Sequence, residues 1–200
     1  MKTLKTSWRT TFAALLIFGL GMAVTPAQAD VLLEVDVSNP AAVTFKATGA
    51  FSAVNDSSTT VNDGVDLLVF FADTALPGAP MSGNLKPLND GGVAYDLWWP
   101  DSYSSGGEEP LRDLCLYKGI QTFTQHFSTG VPALTGAASA DLSAFSTILP
   151  SPGTSGDIIA GYYDGGAHQV IGQWEVVPEP ATLSLLALGG LALIRRRRTT

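Results

Sequence analysis

Val65-Asp66-Leu67-Leu68-Val69-Phe70-Phe71 is the most continuously apolar run in the central part of this chain. It reads as a central strand covered on both faces, as in the core of a sandwich. Upstream, Val31 to Val37 alternates from Leu33 onward, the pattern of an edge-capable strand. Glu34 and Asp36 share one face at that spacing, which reads as a solvated strand face rather than a catalytic carboxylate pair. Val43 to Ala47 and Ala50 to Val54 read as two strands or one long bent strand, with Gly49 as a bulge. Asn55 to Gly64 is a polar loop.

Downstream, Ala72 to Gly92 is loop-rich and Val93 to Trp99 resumes as strand before an acidic loop, Pro100 to Glu109. Leu111 to Tyr117 and Ile120 to Phe127 read as a hairpin across Lys118-Gly119. The Ala-rich stretch Ala137 to Phe145 reads as a short helix. Ile158 to Tyr163 and Gln169 to Val177 read as strands around an Asp164-Gly165-Gly166 turn. Short strands, Gly- and Pro-rich turns and almost no amphipathic helix give the expected class: all-β, a single domain of β-sandwich or jelly-roll type.

The chain's ends differ in kind from this middle. Lys2, Lys5 and Arg9 precede an apolar core, Phe12 to Val24, and Thr25-Pro26 then leads to Ala27-Gln28-Ala29. This is the pattern of a signal peptide over 1–29, carried by a Sec translocon and cut by signal peptidase between Ala29 and Asp30. At the other end Pro178-Glu179-Pro180 is followed by the uncharged Ala181 to Ile194 and then by Arg195, Arg196, Arg197 and Arg198. As a helix, that apolar segment spans roughly 21 Å. This is short for a hydrocarbon core of about 30 Å, so it needs tilt or local thinning. Four arginines stay cytoplasmic under the positive-inside bias, which leaves everything before the helix outside. Pro178 and Pro180 keep the residues before them extended, so a processing enzyme can grip the strip.

In this order, the box over 178–180, the membrane helix over 181–194 and the basic cluster over 195–198 resemble the PEP-CTERM sorting signal. The resemblance covers about 22 of the 200 residues. It implies a Gram-negative, exopolysaccharide-producing source and processing by a membrane-embedded, cysteine transpeptidase-like enzyme, exosortase. Pro178, Glu179 and Pro180 are then the sorting motif, and Arg195 to Arg198 the cytoplasmic retention cluster. The temporary tail works by the logic of a GPI signal. The chain is expected to be exported, held briefly in the inner membrane by this helix, and then sorted to the cell surface, biofilm matrix or medium.

Between these ends, residues 30–177 form one acidic domain of 148 residues, with four basic side chains against seventeen acidic ones and a formal net charge of −13. Such a field repels nucleic acid and anionic headgroups, so no nucleic-acid partner is expected; it also serves solubility outside the cell. Cys115 is the only cysteine, which excludes an internal disulfide; its setting, Leu114-Cys115-Leu116, favours burial.

Trp98, Trp99 and Tyr103 form the clearest ligand-binding hint, because aromatic faces stack on sugar rings. On a strand the two tryptophans point to opposite faces, so at most one belongs to the core. The turns around Asn62-Asp63-Gly64-Val65-Asp66, Asn89-Asp90-Gly91 and Asp164-Gly165 offer oxygen ligands for Ca2+. None fits an EF-hand loop, and Asp, Asn and Gly make turns for backbone reasons alone. His126 and His168 lie far apart, no G-x-S-x-G occurs, and neither a catalytic residue nor a metal ligand set is assigned. The expectation is a non-catalytic surface or matrix protein, with exopolysaccharide as a further partner. Its alternatives are a carbohydrate- or calcium-binding adhesive module and a secreted hydrolase.

Overall fold

The computed structural model describes residues 29–55, 64–74, 77–88, 93–101, 111–119, 125–160 and 169–178. The strands are β1 (Val31–Asp36), β2 (Val43–Ala47), β3 (Gly64–Leu67), β4 (Ala79–Gly83), β5 (Lys86–Pro87) and β6 (Leu97–Asp101), then β7 (Asp113–Tyr117), β8 (Leu134–Thr135), β9 (Ala137–Ala140), β10 (Ser155–Ala160) and β11 (Val170–Val176). Nine of them close into a barrel in the order β1-β11-β10-β3-β7-β6-β4-β9-β2, and β5 pairs with β8 beside it. Short 3-10 turns cover Pro40–Ala42 and Ser143–Phe145. The all-β expectation holds.

The sandwich or jelly roll does not. The sheet curls until its first and last strands meet, leaving one closed wall. Parity sets the form of that closure. A ring of nine cannot alternate direction throughout, so at least one neighbouring pair must run parallel. That pair is β1 with β11, from Val31↔Gln173 to Val35↔Val176; every other pair in the ring is antiparallel.

A ring of this size has room for side chains, and large ones fill it. Phe70 lies 6.1 Å from Phe45, 5.1 Å from Phe71 and 5.2 Å from Trp174, measured between ring centres. Phe145 stands 5.7 Å from Phe71 and 5.7 Å from Trp98. Leu33, Val35, Leu67, Leu114, Leu116 and Val176 complete the interior. The barrel is a packed core.

The run Val65 to Phe71 is not one strand. β3 ends at Leu67, and the chain turns at Leu68 and Val69. The Asp113 carboxylate accepts the Val69 N–H at 2.6 Å, and the Leu68 carbonyl accepts from the Trp174 indole at 3.3 Å. Val69 pays with a left-handed backbone, φ 53°, and an exposed side chain. Phe70 and Phe71 then fold back into the barrel.

Ala137 to Phe145 is strand β9 followed by a 3-10 turn, not a helix. β4 approaches β9 closely through Gly83, where a Cβ would come within 2.3 Å of the Ala137 carbonyl oxygen. Ala50 to Val54 is no strand either, and contributes one bridge, Phe51↔Pro132. Val93 to Trp99 becomes strand only from Leu97. For the expected hairpin across Lys118-Gly119, residues 120–124 lie outside the described residues; within them β7 pairs with β3 and β6. No helix among the described residues is long and apolar enough to cross a membrane. Residues 1–28 of the expected signal peptide over 1–29, and the expected sorting helix over 181–194, lie outside the described residues.

Candidate functional site

Two places carry chemistry, and the first is where the chain leaves the barrel. The Val177 N–H donates to the Val35 carbonyl at 2.9 Å, the Val176 N–H to Thr154 at 2.8 Å, and the Gly153 N–H to Val176 at 2.8 Å. The wall therefore runs unbroken to Val177, and half-buried Pro178 is the next residue. At the opposite end of the same seam, the Gln173 N–H donates to the carbonyl of exposed Asp30 at 2.9 Å. Gly172 lies under this corner, where a Cβ would stand 2.2 Å from Leu32 Cγ. Ala29 is half-buried; Ala27, Glu179, Pro180 and Arg195 to Arg198 lie outside the described residues.

The second place is the outward face of β3, β7 and β6. Across this face Asp66 is paired with Cys115, Trp99 with Cys115, and Asp101 with Asp113. The inward partners in the same ladders are Val65, Leu67, Leu114, Leu116 and Trp98. Asp66, Asp101, Asp113 and Cys115 are nonetheless all buried. Neither Asp66 oxygen finds a partner of ordinary hydrogen-bond geometry; the Cys115 thiol opposite supplies a weak donor. Burial pushes the Asp66 carboxyl well above the usual carboxylate range, and the Asp101 and Asp113 charges push it the same way. Burial first, and Asp66 second, likewise push the Cys115 thiol up, so it is held as a thiol and is a poor nucleophile.

Trp98 and Trp99 divide as strand geometry requires. Trp98 is 2% exposed and belongs to the core, whereas Trp99 is 43% exposed on the outward face. The Trp99 ring lies against Gly78, where a Cβ would meet ring atom Cε3 at 2.7 Å. Tyr103 lies outside the described residues.

Elsewhere the Asp96 carboxylate accepts from Lys118 Nζ and from the Gly119 N–H at 3.0 Å. Partial burial raises its pKa, but these hydrogen bonds and the ammonium outweigh that and hold it below the ordinary value. A shallow cleft of about 260 Å³ at the end of β2 is lined by Ala47, Thr48, Leu88, Pro132, Leu134 and Gly136 among others, with no titratable side chain. His126 is half-buried; His168 and the turns around Asp90 and Asp164 lie outside the described residues. Of the expected turn Asn62 to Asp66 the described part, Gly64 to Asp66, is not a turn but the start of β3, with Asp66 buried. Among the described residues no group of three or more His, Cys, Asp or Glu side chains is placed to hold a metal ion. The buried acids of the outward face escaped sequence reasoning, although a lone Asp66 inside an apolar run was their signal.

Residues 176–198 match the model of the PEP-CTERM protein-sorting motif. No curated protein and no solved structure matches the chain. The matched segment begins at Val176, the last residue of β11, so the motif starts inside the barrel wall. The chain thus carries a PEP-CTERM protein-sorting motif, which implies an exported protein handled by an exosortase-type enzyme and sorted to the cell surface.

Proposed function

We propose that this is a non-catalytic surface or extracellular-matrix protein of an exopolysaccharide-producing bacterium, in which the acidic barrel is the delivered cargo. Residues 1–29 act as a signal peptide read by the Sec translocon and signal peptidase, residues 30–177 form the cargo, and residues 178–200 are the sorting signal. The helix over 181–194 holds the protein in the inner membrane until the enzyme acts, and Arg195 to Arg198 keep the tail cytoplasmic. The observation that carries this reading is the sorting motif joined directly to a closed, aromatic-filled barrel. Intact-mass measurement of protein recovered from the producing cell's surface and medium tests it. The expected species starts at Asp30 and ends near Pro180; a species retaining Arg195 to Arg198 overturns it.

A second reading makes the barrel an adhesive module that binds exopolysaccharide. It rests on Trp99, an exposed indole on the outward face of β6 that lies beside Gly78, because an exposed aromatic ring can stack on a sugar face. Ca2+ remains a ligand to be tested by calorimetric titration of the purified barrel. A secreted hydrolase draws no support from Cys115, which is held as a thiol.

A further inference from the structure

Enzymes that cut or transfer a chain commonly bind it as an extended strand, pairing with one of its backbone edges. The residues before Pro178 offer no such edge. Trp174, Glu175 and Val176 pair with Leu33, Glu34 and Val35 on one side of β11, and Trp174 and Glu175 pair with Gly156 and Ser155 on the other. Val177 is tied to Val35, and the Val176 carbonyl and N–H are tied to Gly153 and Thr154. Pro178 itself has no N–H to give. From Trp174 to Pro178, the last described residues, the wall thus leaves no free backbone donor, and the sorting box begins directly at its rim.

We propose that closure of the β1–β11 seam restricts the processing enzyme's access to the sorting box, so that the folded barrel itself sets the rate of tail removal. The inference rests on the exosortase-type reading above. The seam joins the first and last strands of the barrel, so it closes only once residue 176 has been exported. Before that moment residues 174–177 are an open strip, and afterwards both their edges are occupied. An unfolded or half-folded substrate is therefore the better substrate, and a finished barrel is processed through its last residues alone.

The test follows tail removal by pulse-chase in the producing bacterium with four full-length chains. These are the wild type, a chain with Gly-Gly-Ser-Gly-Gly-Ser between Val177 and Pro178, a chain with the same insert between Thr129 and Gly130, and a chain with Pro178, Glu179 and Pro180 all changed to Ala. The first insert lies outside the wall and leaves the melting temperature unchanged, yet it is expected to speed tail removal several-fold. The second insert, in a turn away from the exit, leaves the rate unchanged. Equal rates for the wild type and the Val177–Pro178 insert overturn the proposal. Tail removal at the wild-type rate from the triple-Ala chain overturns the sorting reading instead, whatever the spacer does.

Discussion

Asp66 and Cys115 face one another across the β3–β7 ladder, both fully buried although they stand on the outward side of the barrel wall. Burial raises the carboxyl's pKa, so the folded state holds a proton that the unfolded chain releases above about pH 4. The folded state then binds more protons than the unfolded one, and stability falls as pH rises. The contribution is complete below the unfolded value and is lost progressively up to the raised folded value. Asp66→Asn removes this dependence. Urea unfolding at pH 4, 6 and 8 should show the variant gaining on the wild type as pH rises; a constant difference would sink the argument.

Val69 occupies a left-handed backbone, and its N–H is held by Asp113. A β-branched side chain there costs about 1–2 kcal/mol, and Gly carries no such cost in that conformation. Val69→Gly is expected to stabilise the fold by about 1 kcal/mol in denaturant titration, despite the looser unfolded chain. Loss of stability would mean that the exposed Val69 side chain contributes more than its surroundings indicate.

Gly172 and Leu32 interlock at the seam, with no space for a Cβ at position 172. Gly172→Val should cost about 1–3 kcal/mol through overpacking. Leu32→Ala alone should cost about 2–5 kcal/mol. Because the two sites touch, the double variant should be more stable than the sum of the single losses allows, by 0.5 kcal/mol or more on the scale of measured couplings. A double-mutant cycle that closes additively would contradict the contact.

The adjacent tryptophans should separate stability from binding. Trp98→Ala empties a core position against Phe145 and should cost about 3–5 kcal/mol. Trp99→Ala should change stability by about 1 kcal/mol or less, yet lower retention of the purified barrel on exopolysaccharide. Unchanged retention would remove the adhesive reading and leave the sorting reading untouched.

Much of this architecture was written locally, and some was not. β1, β2 and β11 follow from alternation and β-branched residues, and β7 from its apolar Leu-Cys-Leu run, within a residue or two of their ends. Closure did not, because inward–outward alternation is the same in a sandwich wall and a barrel wall. Only the meeting of Val31–Asp36 with Val170–Val176, far apart in the chain, distinguishes them. β9 looked helical because alanine favours helices, whereas here its small size fits it between β2 and β4. Val65 to Phe71 looked like one strand because hydrophobicity does not report a turn held by a distant Asp113. The tail was legible for the opposite reason: box, apolar segment and arginines act through their order alone, and the match over 176–198 needs no tertiary partner.

The parallel pairing of β1 and β11 gives the molecule poles. Asp30 leaves at one pole and Pro178 at the other, separated by a strand of about 20 Å. A cell that fixes this protein through its carboxy-terminal pole holds the amino terminus outermost. Any sequence grafted ahead of Asp30 would then be displayed away from the surface, whereas a graft after Val177 would be trapped against it.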